Sequence, residues 1–141
     1  MRKNPVHALV AVGLSAFCAN ADPMKDSALI IGKSTYLSLC AGCHGEDAKT
    51  GGTVGELLTV QPPDLTKISE RSGGNFPFSS VYEVIIWGMK APGHGPSEMP
   101  IWGDYFMSDA LEDRGVSKSD ATSIVVGRAL SLAYYLESIQ E

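Results

Sequence analysis

Cys40-Ala41-Gly42-Cys43-His44 is the stretch on which the reading of this chain turns. Two thiols separated by two residues, with an imidazole directly after the second, suit covalent attachment to the two vinyl groups of a haem, the histidine taking the iron from one face. A zinc ribbon needs a second cysteine pair, and the remaining cysteine, Cys18, lies in a segment expected to be removed. A thioredoxin-like site wants its C-x-x-C after a strand in an alternating strand and helix pattern, which this sequence lacks. The motif therefore points to haem c, with Cys40 and Cys43 as attachment points and His44 as an iron ligand.

Upstream, Arg2 and Lys3 precede an apolar run from Val6 to Phe17, and Ala19-Asn20-Ala21 supplies small residues for cleavage before Asp22. The run is short for a membrane span, so residues 1–21 read as a secretory signal peptide and 22–141 as the mature domain. Phe17 before Cys18 does not suit lipid attachment at that cysteine. In the systems this motif resembles, covalent haem attachment takes place on the outer side of the bacterial inner membrane, so the expected location is the periplasm, with no stable membrane insertion after the signal is removed.

At 141 residues the chain has the length of one domain. Loss of residues 1–21 removes Arg2 and Lys3 and no acid, shifting the formal charge from −5 to −7. An acidic surface favours a basic docking face on a partner and disfavours nucleic acid.

Four helices are expected. The first runs from Leu29 to Cys43 after a polar lead, with Gly32, Tyr36 and Cys40 on one face suited to close helix packing. The second is capped by Ser79 or Ser80 and closed by Gly88; the third starts at Asp104 and ends near Arg114. The last opens on the Ser117/Asp120 capping-box pattern and reaches Ser138, its apolar stripe being Val125, Ala129, Leu132, Leu136 and Ile139. Gly127 inside it marks either a tight contact or a tolerated glycine. Between the first two helices, residues 45–77 hold glycine and proline clusters without periodicity, a long loop of the kind that wraps an object.

Met99, followed by Pro100, is the leading candidate for the second axial ligand. A thioether closes the iron against dioxygen or peroxide and favours the ferrous state, pointing to electron transfer. Met89, Met107 and His94 are rivals. Pro62-Pro63-Asp64-Leu65 offers a carbonyl to the other ring nitrogen of His44. Trp87, Trp102 and Tyr82 are candidates for packing on the macrocycle, and Arg71 and Lys90 for pairing with its propionates.

Taken together these motifs resemble the class I c-type cytochromes over essentially the whole mature region. The matching segments are Cys40–His44, the helix with Gly32 and Tyr36, the proline loop at 62–66, the methionine loop 99–103 and the final helix around Leu132-Ala133-Tyr134-Tyr135-Leu136. The resemblance implies an all-α fold with helices and loops around one haem, and an aromatic of the last helix on the glycine and aromatic of the first. It implies a one-electron carrier working between redox proteins, a donor dehydrogenase or membrane complex and an acceptor oxidase or reductase, with no small-molecule substrate. A haem subunit of a periplasmic oxidoreductase is the alternative, and an open-site gas-binding or peroxidatic haem protein a third. The segment Asp104 to Val116 departs from the family pattern and reads as a partner contact or a surface insertion.

Overall fold

A proline at the first position of a helix loses nothing, because its missing N–H is one of the four that have no partner there. Pro23 starts helix α1, Pro23–Leu39, in the computed structural model, which describes residues 23–88 and 100–141. Asp26 lies in its first turn, where a negative charge complements the helix dipole. The polar lead expected at 22–27 is thus helical from Pro23, six residues before the expected start at Leu29. Cys40 carries a distorted backbone between α1 and the single turn α2, Ala41–His44. Hydrogen bonds from Cys40 N to Tyr36 O at 2.8 Å and from His44 N to Cys40 O at 2.9 Å carry the helical path across it.

Three short turns then interrupt the long loop: two 3-10 turns, Gly55–Leu57 and Leu65–Lys67, and one helical turn, α3, Ile68–Arg71. Asp64 caps the second of these by accepting from Thr66 N at 2.8 Å. Helix α4, Phe78–Trp87, starts after Pro77 without a side-chain cap, so Ser79 and Ser80 sit inside it and do not cap it. Gly88 ends it in the left-handed region, as expected. Helix α5, Trp102–Ser108, begins two residues ahead of Asp104, and one π-helical turn, Asp109–Asp113, prolongs it. The last helix, α6, is Lys118–Ser138, with Ser117 Oγ accepting from Asp120 N at 3.3 Å and donating to its carboxylate at 2.7 Å. There is no strand among the described residues, and the all-α class holds.

The two long helices cross in backbone contact. A Cβ placed on Gly32 would lie 2.0 Å from the Ser131 carbonyl oxygen and 2.8 Å from Tyr135 Cβ, so only glycine allows this separation. Beside the crossing, the rings of Tyr36 and Tyr135 pack at 5.4 Å. The stripe on α6 turns inward as its period requires: Val125, Ala129, Leu132 and Leu136 are buried together with Ile85 and Ile86 of α4. Full burial of a leucine such as Leu132 is worth about 1.5–3 kcal/mol.

The segment from Asp104 to Val116 is more than a surface insertion. Phe106 and Ala110 are fully buried. Arg128 of α6 lies over the Phe106 ring at 5.4 Å and pairs with Asp109 at 2.7 Å, and Arg114 Nε donates to the same carboxylate at 3.3 Å. Burial works to raise the Asp109 carboxyl, but Arg128 and Arg114 outweigh it and hold the group below the ordinary carboxylate range.

Three outcomes follow from this packing. Gly32→Ala should cost about 1–3 kcal/mol in chemical denaturation through overpacking, whereas Gly127→Ala, with nothing within 4 Å of the added carbon, should stabilise α6 by up to about 1 kcal/mol. A depressed carboxyl stabilises the fold above the ordinary carboxylate range and loses that contribution as pH falls through its folded-state pKa. Asp109→Asn should therefore destabilise the protein at pH 7 by about 0.2–1 kcal/mol and make no difference once the pH lies below that pKa, as thermal melts across pH would record.

Candidate functional site

Tyr36 fixes the motif turn from below. Its side chain is fully buried, and its hydroxyl donates to the Gly45 carbonyl at 2.6 Å. Burial raises the pKa of this phenol, with Cys40, Tyr135 and Asp47 adding to it, so it remains a donor at any ordinary pH. Gly45 leaves α2 at φ 80°, a conformation that side chains rarely adopt. A Cβ there would lie 2.5 Å from the Thr50 carbonyl oxygen. The loop beyond it folds back over the motif, with Val54 N donating to Gly42 O at 2.8 Å. Gly52 and Gly55 allow that approach, since added carbons would meet the carbonyls of Gly42 and Cys43 at 2.4 and 2.3 Å.

Cys40, Cys43 and His44 thereby line one cavity of about 510 Å3. Tyr36 and Leu39 come to it from α1, and Val81, Val84 and Ile85 from α4. Leu132 and Leu136 close it from α6. Leu58, Val60, Pro62, Pro63 and Leu65 bring in the long loop, and Pro100 and Trp102 the start of α5. The lining is overwhelmingly apolar, and the volume falls within the roughly 300–1,000 Å3 of ligand and cofactor sites.

His44 is only 7% exposed, and its Nδ1 lies 3.4 Å from the Pro63 carbonyl oxygen, the partner expected from the Pro62–Leu65 segment. In the tautomer that carries its proton on Nδ1, this contact gives that proton an acceptor. Cys40 and Cys43 are free, half-buried thiols. Burial, then the neighbouring Cys43, pushes the Cys40 thiol up to about 12.

Of the other candidates, Trp102 and Arg71 line the cavity and Tyr82 and Trp87 do not. Tyr82 and Trp87 line a second, shallower depression with Phe78 and Leu130, Tyr82 half-buried against the core and Trp87 66% exposed. Val81, Val84 and Ile85 are the α4 side chains that the helical period gathers toward the cavity, and Tyr82 and Trp87 lie on the two flanks of that stripe. Arg71 Nη2 donates to the Asp64 carbonyl at 2.7 Å, so part of its donor capacity is spent on the loop. Met107 packs in α5 against the core and is absent from the cavity lining. Met99, Met89, His94 and Lys90 lie outside the described residues, as do residues 1–21. Leu58 and Val60 were not anticipated as lining; nothing in a loop without period marks which apolar side chain turns inward.

No family model matches the chain, and no curated protein or solved structure matches it. Among the described residues no three His, Cys, Asp or Glu side chains come together as a metal-holding group, and no helix is long and apolar enough to cross a membrane.

A buried thiol held in its neutral form is a poor nucleophile. In the bare polypeptide, Cys40 should react with iodoacetamide at pH 8 at least about tenfold more slowly than an unperturbed cysteine, as peptide mapping would measure.

Proposed function

We propose that this chain is an exported monohaem c-type cytochrome that carries single electrons between redox proteins. The observation that carries the reading is the meeting of Cys40, Cys43 and His44 on one apolar cavity of about 510 Å3. The residues fit the group: two thiols and an imidazole come from one turn, and the remaining walls offer aliphatic and aromatic surface to a macrocycle. Cys40 and Cys43 would hold it through thioethers, His44 would ligate the iron through Nε2, and Met99 is proposed for the opposite position. When bound, haem supplies a one-electron change between ferrous and ferric iron, and the polypeptide supplies position and electrostatics.

The chain's own residues then have separable tasks. Leu132, Leu136, Val81 and Ile85 would exclude water, lowering the local dielectric and disfavouring the more highly charged ferric form. The Pro63 carbonyl orients the His44 ring and strengthens it as a donor. Tyr36 anchors the turn that bears both cysteines. The acidic surface, with a net charge of −5 for the whole sequence, suits a basic docking face on the donor or acceptor.

Expression with export and covalent attachment should yield a species heavier by one haem, with no alkylatable thiol at Cys40 or Cys43. Met99→Ala in that holoprotein should lower the midpoint potential and let the ferrous form bind carbon monoxide at pH 7. An unmodified mass would sink the haem assignment; an unchanged spectrum in the variant would move the ligand away from Met99.

A further inference from the structure

Just past α6, Gln140 reaches across the molecule with every polar atom of its amide. Its Nε2 donates to Leu65 O at 2.8 Å and to Leu136 O at 2.7 Å, and its Oε1 accepts from Ser69 N at 2.8 Å. Glu141 adds a backbone bond, its N–H donating to Thr66 O at 3.0 Å, and its carboxylate pairs with Lys49 and Lys67. All of these except the bond to Leu136 and the pair with Lys49 end on residues 65–69, and that stretch is separated only by Asp64 from Pro63, whose carbonyl lies beside His44. The N–H of Leu65 is held as well, donating to Ala48 O at 2.8 Å, and the Asp64 carbonyl accepts from Arg71.

We propose that Gln140 is a positioning residue for the axial histidine: its side-chain amide holds Leu65 and Ser69 so that the Pro63 carbonyl stays within reach of His44 Nδ1, and it thereby sets the potential of the haem iron. The inference rests on the haem reading above. Its force comes from the length of the contact. A typical N–H···O bond spans about 2.7–3.2 Å, so at 3.4 Å the Pro63–His44 contact is longer than typical, and small shifts of the loop change its strength. Leu65 is two peptide units from that carbonyl, and Gln140 ties it to the last turn of α6, a rigid reference. Glutamine suits the task because one side chain of that length supplies two donors and an acceptor; glutamate lacks the donors and methionine lacks all three. A stronger Nδ1–H···O=C bond makes the imidazole a better donor and favours ferric iron, so loosening it raises the potential.

The test compares exported wild-type, Gln140→Met and Gln140→Glu holoproteins by mass, midpoint potential and amide exchange. Gln140→Met is expected to raise the midpoint potential and to speed exchange of the Ser69 amide about two- to tenfold, the factor one hydrogen bond's net worth corresponds to. Gln140→Glu keeps the acceptor for Ser69 and loses both donors, so it is expected to leave Ser69 protected while still raising the potential. It also carries the test if the methionine variant is not recovered folded. A haem-bearing variant with faster exchange and the wild-type potential would reduce Gln140 to a structural tie and overturn the inference alone. An unmodified mass in the wild type would overturn the haem reading and this inference with it.

Discussion

Backbone contact between α1 and α6 at Gly32 is the constraint from which the geometry of the site descends. With the Ser131 carbonyl occupying the space a side chain would need, the two helices can cross only in one register. That register places Tyr36, one turn further along α1, against Tyr135 and beneath Gly45. The hydroxyl of Tyr36 then fixes the end of α2, and with it the positions of Cys40, Cys43 and His44 relative to Leu132 and Leu136. A helix pair that closes this tightly leaves no room between its partners for a bulky group. The cavity accordingly opens beside the crossing, bounded by α4 and the long loop.

That loop is held less by its short turns than by hydrogen bonds between residues distant along it and to the elements around it. Residues 45–77 contain two 3-10 turns and one helical turn, too little to order more than thirty residues by local bonds alone. They are ordered by attachment at several separate places: Val54 to the motif turn, Leu65 to Ala48, Asp64 to Arg71, and residues 65–69 to Gln140 and Glu141. Each tie engages backbone groups, so the loop satisfies its polar atoms while presenting Leu58, Val60, Pro62, Pro63 and Leu65 to the cavity. Among the described residues no buried side-chain polar atom is left without a partner.

Much of this was legible in the sequence where the pattern is local. The stripe on α6, its Ser117 cap and the Gly88 stop of α4 each follow from spacing within a single element, and all three stand in the structure. The close approach at Gly32 was also legible, because a small residue four positions before an aromatic leaves few other purposes on a packed face. Legibility fails where partners are remote. Gln140 meets Ser69 and Leu65 across 71 and 75 positions, and no periodicity announces a pairing of that kind. The start of α1 was misplaced because polar residues at a helix entrance look like loop, although Pro23 and Asp26 are well suited to a first turn. For Tyr82 and Trp87 the sequence left packing on a macrocycle and plain core packing both open, because aromatic character says nothing of helix face; neither lines the cavity, and Tyr82 packs on the core.

The size of the cavity bears on what completes the fold. The cavity, about 510 Å3 and partly open to solvent, exposes apolar wall that the hydrophobic effect works to cover. Two routes would cover it. Collapse would require α4 and the 58–65 loop to move inward, against Leu65's bonds to Ala48 and Gln140 and the packing of Ile85 and Ile86 on Phe106. A group bonded through Cys40 and Cys43 would instead become part of the core, and it would do so while removing two thiols, one of which burial already keeps from ionising. The second route, the one the proposed haem would take, demands no rearrangement of the ties that keep the Pro63 carbonyl beside His44.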